Sequence, residues 1–223
     1  MKTTHKIIQS NVYTDPDTKF EIFLNEMNGA ICPYFLHDSL IGKQFAGYVL
    51  ILKDIEFAKS CFKNLEENRV TDKEMRTAIL FSGIFTYMKC FTAGSSRGTH
   101  LNENLFKKVT LRFRQLHKEI SEFRNKYLAH ASTETYETAK IVLFLNPDVS
   151  AKELLNISVA AKYVTDRNDK LKAFLDLMDI VIELVEIKMG KTLVALEKEV
   201  HGINIDELYE KAKTPKGEKV KGM

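Results

Sequence analysis

The chain has no tryptophan, and its 223 residues include only four prolines, ten glycines and three cysteines. So little proline and glycine leaves little material for linkers and points to a compact, mostly helical body. There is no tryptophan and no aromatic–basic alternation of the kind an RNA-recognition sheet carries. Cys32, Cys61 and Cys90 are odd in number, widely spaced and set in apolar patterns. They read as reduced, buried thiols of a cytoplasmic protein, not as a disulfide framework or a metal cluster. No His-x-x-x-His, Cys-x-x-Cys or Glu-x-x-His spacing occurs, so no zinc site, di-iron bundle or other cofactor is expected. Gly190-Lys191-Thr192 imitates the end of a phosphate-binding loop, but Val185 stands where its first glycine belongs. No apolar run approaches the roughly 18 residues that span a bilayer, and no signal-like stretch follows Met1-Lys2-Thr3-Thr4-His5-Lys6, so no membrane is expected. A large charge of either sign is lacking too. The net +3 is compatible with a polyanion partner without demanding one.

What is present is helical periodicity. After an irregular or extended start, the pattern predicts a first helix over residues 17–28 and a second over 38–68, with Gly42 and Gly47 delaying its beginning. A third starts at Thr71, capped by a Thr71-x-x-Glu74 box, and ends before Gly94. The strongest pattern is a fourth helix over 102–130. There Phe106, Val109, Phe113, Leu116, Ile120, Phe123 and Tyr127 recur at alternating steps of three and four and form one packing seam. Two apolar runs, 139–145 and 155–159, flank a turn-forming Asn146-Pro147-Asp148 and predict a small β-hairpin, followed by a long last helix over 166–200. The expected architecture is a single helical-bundle domain over 1–205 and a basic, flexible tail over 206–223.

Ionisable chemistry concentrates in Arg124-Asn125-Lys126-Tyr127-Leu128-Ala129-His130. His130 falls three residues after Tyr127 and continues the seam, so one reading makes it a satisfied core histidine with Arg124 as a solvated flank. Three features favour chemistry. From Asn102 to His130 there are seven basic and three acidic side chains, an excess of four that exceeds the net +3 of the whole chain. His117 and Arg124, seven apart, stack along one flank as a polar track. The residue types also suit RNA cleavage by its own 2′-hydroxyl, which needs no metal. An imidazole serves as acid or base near neutrality, and a guanidinium offers a donor fork to phosphate oxygens whose charge grows in the transition state. Asn125 can orient either the imidazole or the phosphate.

Arg, a polar Asn, and His six residues after the Arg, late in a long helix, resemble the Arg-x(4–6)-His motif of HEPN (higher eukaryotes and prokaryotes nucleotide-binding) domains. The apolar helix ending Lys89-Cys90-Phe91-Thr92-Ala93-Gly94-Ser95-Ser96-Arg97 is similar to a pattern in some members. The resemblance spans roughly 38–132 and the last long helix. It implies a HEPN-like bundle of four to five main helices that commonly dimerises, bringing two motifs into one cleft. Many members are metal-independent endoribonucleases of toxin–antitoxin, phage-defence or RNA-processing systems. Others bind nucleotide, RNA or a protein partner without cleaving. By position, the resemblance makes Arg124 the phosphate-charge stabiliser, Asn125 the geometric support and His130 the proton-transfer group. Lys126, Tyr127 and His117 are nominated beside them as substrate contacts, as is Arg97 from outside the motif. The tyrosine that controls one family subset, two positions after the histidine, is Ser132 here, so that control is not expected. On a straight helix, residues six apart diverge by about 120° and rise about 9 Å. Arg124 and His130 of one copy therefore do not face one phosphate unaided, and a homodimer becomes part of the expected mechanism.

Overall fold

The computed structural model describes residues 7–27, 30–94, 97–125, 138–145, 147, 154–162 and 168–215. Along them run β1 (Ile7–Thr14), β2 (Glu21–Met27), β3 (Ala30–Ile31), α1 (Leu40–Glu66), α2 (Lys73–Lys89), a 3-10 helix (Glu103–Lys108), α3 (Leu111–Phe123), β4 (Thr138–Leu145), β5 (Leu154–Lys162), α4 (Asn168–His201) and α5 (Ile205–Lys211). The fold is mostly α with two small antiparallel sheets. The chain divides into two compact units, residues 43–193 and residues 1–42 with 194–223, where a single body over 1–205 was expected.

The larger unit is held by apolar stripes at helical spacing. Ile51, Ile55, Ala58, Phe62 and Leu65 of α1 step by four and three residues and are fully buried, as are Leu171, Phe174, Met178, Val181 and Val185 of α4. Leu80, Ile84 and Tyr87 of α2 and Leu116, Ile120 and Phe123 of α3 join the same core. Phe62 meets Phe174 with ring centroids 5.2 Å apart. Each such side chain contributes about 1.5–3 kcal/mol by leaving water, so packing, more than propensity, holds these helices. Gly83 of α2 lies where a Cβ would come within 2.8 Å of the Phe62 ring, so a bare backbone is what lets α2 approach α1.

Polar side chains set the helix ends. Arg76 is buried and donates from Nη1 to the Val70 carbonyl at 2.7 Å and from Nη2 to the Leu65 carbonyl at 3.1 Å, satisfying the C-terminus of α1. The cap of α2 is Asp72, whose carboxylate accepts from the Met75 amide at 2.8 Å, so the expected Thr71–Glu74 box is displaced by one residue. Gly42 and Gly47 do not delay α1. A Cβ on Gly47 would sit 2.1 Å from the Arg97 carbonyl, and the glycine is what admits that loop.

The helix expected over 102–130 is interrupted. Asn102 caps a 3-10 helix through the Asn104 amide, Val109 and Thr110 are extended, and α3 begins only at Leu111. Arg114 explains the break: its guanidinium donates to the carbonyls of Phe106 at 2.7 Å, Lys107 at 2.5 Å and Val109 at 3.2 Å. Those carbonyls need no helical continuation once a side chain pairs them. Leu105 and Phe106 still reach the core, but from the 3-10 helix. Ahead of α4, β4 and β5 pair from Thr138↔Lys162 to Leu145↔Leu154, with an irregularity after Phe144.

In the smaller unit the helix expected over 17–28 is, through Met27, the turn and second strand of a β-hairpin instead. Asp15 is the reason. Its Oδ1 accepts from the amides of Asp17 (3.1 Å) and Thr18 (2.9 Å) and from the Thr18 hydroxyl (3.0 Å), tying a turn in which Lys19 takes φ +62°. β2 then alternates, burying Leu24 while Phe23 faces outward. The flexible tail expected from residue 206 is folded through α5 to Lys213, whose amide donates to the Tyr34 carbonyl at 2.8 Å and whose carbonyl accepts from the Tyr34 amide at 2.9 Å. Asp15 Oδ2, inside this unit, receives the Tyr34 hydroxyl at 2.5 Å and the Lys213 ammonium at 3.2 Å. Those partners, Tyr34 foremost, hold the Asp15 carboxyl well below the usual carboxylate range. Burial, then Asp15, pushes the Tyr34 hydroxyl up to about 12.

Candidate functional site

The end of α2, the following loop and α3 enclose a cleft of about 340 Å³. α2 and the residues just past it bring Met88, Phe91 and Thr92, the loop brings His100, Leu101 and Asn102, and the 3-10 helix brings Glu103. α3 and its last described turn bring His117, Ser121, Arg124 and Asn125. Arg124 and Asn125 take a wider, π-type turn at the end of α3, a geometry that frequently marks functional positions in helices.

His117 is buried, 6% exposed, against the rings of Phe91 (centroids 4.4 Å apart) and Phe106 (4.6 Å). Its Nδ1 lies 2.8 Å from the Tyr87 hydroxyl. That hydroxyl is itself buried, and the tautomer in which it donates to Nδ1 carries the ring proton on Nε2. Burial lowers the imidazole to about 4, and the nearby Glu103 carboxylate opposes this more weakly. His117 is therefore neutral near pH 7. It can donate a hydrogen bond and is a weak base at that pH.

Arg124 is half-buried at the mouth and donates from Nη1 to Asn125 Oδ1 at 2.8 Å. Among the described residues it makes no ion pair with a carboxylate. It also borders a second recess of about 330 Å³ with Phe85, Thr86, Lys89 and Thr92. A guanidinium without a carboxylate, braced by a neighbouring amide, suits a phosphate.

The structure thus brings His117, Arg124 and Asn125 to one cleft. Arg97 is not among the residues lining it. Its guanidinium pairs with Asp54 of α1, while Nη1 is buried with no hydrogen-bond partner among the described residues. That ion pair ties Arg97 and its loop to α1. Lys126, Tyr127 and His130 lie outside the described residues. His100 and Ser121 are cleft residues that sequence reasoning missed. His100 sits in a loop with no periodic pattern, and only the packing of that loop beside α3 brings it to the cleft. The buried thiols are poor nucleophiles: Cys90 is pushed up to about 12 and Cys61 is raised, both by burial. Among the described residues no cluster of metal-ligating side chains occurs, and no helix is long and apolar enough to cross a membrane.

No family model, curated protein or solved structure matches this chain.

Proposed function

We propose that this chain is a metal-independent endoribonuclease of the HEPN type, built on a HEPN-like bundle and working as a homodimer on RNA. A toxin–antitoxin or phage-defence setting, with a matching partner protein, fits such an enzyme. The observation that carries the reading is the Arg124–Asn125 pair at the mouth of a polar cleft, immediately ahead of the Lys126-to-His130 stretch of the motif. In the reaction a base takes the proton of the 2′-hydroxyl and the freed oxygen bonds to phosphorus. The bond to the 5′ oxygen breaks, and an acid returns a proton to that oxygen. The products are a 2′,3′-cyclic phosphate and a 5′-hydroxyl end. Arg124 neutralises the non-bridging oxygens and His130 transfers protons, with the second proton-transfer group supplied by the partner copy. His117, held neutral, serves as a hydrogen-bond donor to substrate.

A second reading is a non-catalytic HEPN-fold protein that binds nucleotide, RNA or a protein partner. It is favoured by the neutrality of His117, the buried imidazole of the cleft. Incubating the protein with RNA in the presence of a chelator separates the two. Cleavage should fall on the order of 10²-fold or more in Arg124→Ala and in His130→Ala, with unchanged circular dichroism. Cleavage that persists in both variants, or that never occurs in the wild type, would sink the enzymatic reading.

A further inference from the structure

The β4–β5 hairpin has one aliphatic face. Ile141 lies opposite Val159 and Leu143 opposite Ile157, and past the irregularity Leu145 lies opposite Leu154. All six are 49–69% exposed. The other face alternates out of this set and carries Lys140, Asn156 and Ser158 beside Val142 and Phe144. A strand pair with such alternation is built to have one face covered, and an isolated two-stranded hairpin is marginal in water.

We infer that the Ile141–Leu143–Ile157–Val159 face is a docking surface for a second copy of this chain, packed against the same face of its partner about a two-fold axis. Four features of the face select that occupant. First, it bears no charge and no side-chain hydrogen-bonding group, so its complement must be equally apolar, and the identical face satisfies that condition. Second, two pleated aliphatic layers stack at about 10 Å with side chains interdigitated, and an isologous contact needs only one patch. Third, at roughly 100 Å² per side chain the six supply on the order of 600 Å² per copy. That is at the upper limit for a patch on a monomer, and together the two copies reach about 1,200 Å², the lower bound for a stable interface. Fourth, a lipid surface is the weaker candidate, because interfacial anchors are Trp, Tyr, Lys or Arg and none lies on this face.

The surface stands independently of the chemistry proposed above. Sedimentation of the full chain tests it, with RNA cleavage assayed in parallel. The wild type should sediment as a dimer. Leu143→Lys with Ile157→Lys should raise the dissociation constant at least about thirtyfold, as expected for a charge at the centre of an apolar contact. Phe144→Lys, on the other face, should leave the dimer intact. A wild type that stays monomeric, a doubly substituted chain that still dimerises, or loss of the dimer on Phe144→Lys would each overturn the assignment. Should the double variant fail to fold, hydrogen exchange of the wild type decides. Amides of β4 and β5 should gain protection as protein concentration rises, and protection independent of concentration would overturn the proposal. Dimer behaviour as expected together with absent cleavage would leave the docking surface standing and remove only the nuclease reading.

Discussion

At the scale of single residues, His117 and Tyr87 form a unit whose cost and benefit can be measured. Burial holds the folded imidazole at about 4, against an ordinary value of 6.5 in the unfolded chain. Between those values the unfolded chain binds a proton that the folded chain refuses. The contribution to stability is therefore complete above pH 6.5 and is lost as pH falls toward about 4. Urea titrations across that window should show wild-type stability falling by up to about 3 kcal/mol, with the fall flattened in His117→Gln. An equal slope in both proteins would mean that His117 is not the buried neutral group. Tyr87→Phe removes the hydroxyl paired with Nδ1 and leaves a buried ring nitrogen without that partner. It should cost about 1–2 kcal/mol, read as a lower urea midpoint with an unchanged slope.

Among elements, the ends of helices depend on arginines that propensity does not reveal. Arg76 closes α1 from inside the core, so Arg76→Met should leave the Leu65 and Val70 carbonyls unpaired at a cost of roughly 2–4 kcal/mol by denaturant titration. Arg114 does comparable work at an exposed position, where water can replace it, and Arg114→Met should cost only about 1 kcal/mol. If both substitutions cost the same, burial is not what separates the two sites. The same contrast explains the break in the expected helix over 102–130. The three-and-four spacing of Phe106, Phe113 and Leu116 persists because all three side chains pack inward, although the backbone beneath them changes from 3-10 to extended to α. Periodicity reports which side chains must be buried. It does not report whether a side chain elsewhere will take over the backbone carbonyls.

For the molecule as a whole, the smaller unit is joined across its sequence by one carboxylate. Asp15 binds its own turn, Tyr34 and Lys213, and Lys213 also reaches Asp17 at 2.7 Å. Asp15→Asn should raise hydrogen exchange at the Lys213 amide, which bonds the Tyr34 carbonyl. Because the folded carboxyl lies below its ordinary value of 3.8, this contribution persists at neutral pH and fades only in stronger acid. Much of the helical framework was legible in the chain. Long amphipathic stripes specify α1, α2 and α4 by local spacing alone, and of the Arg124–His130 segment the described Arg124 and Asn125 line the cleft. Less was legible where a distant partner decides. The 17–28 stretch has enough helical character to mislead, yet the Asp15 turn, Tyr34 and Lys213 draw it into a hairpin. The pairing of Arg97 with Asp54, 43 positions earlier, has no local signal in the chain. His100 enters the cleft through a loop with no pattern to read. Local periodicity follows from which side chains must leave water, and the sequence determines that alone. Which carboxylate meets which cation, and which loop lines the cleft beside Arg124, is set by contacts between segments far apart in the chain, and only the tertiary structure decides them.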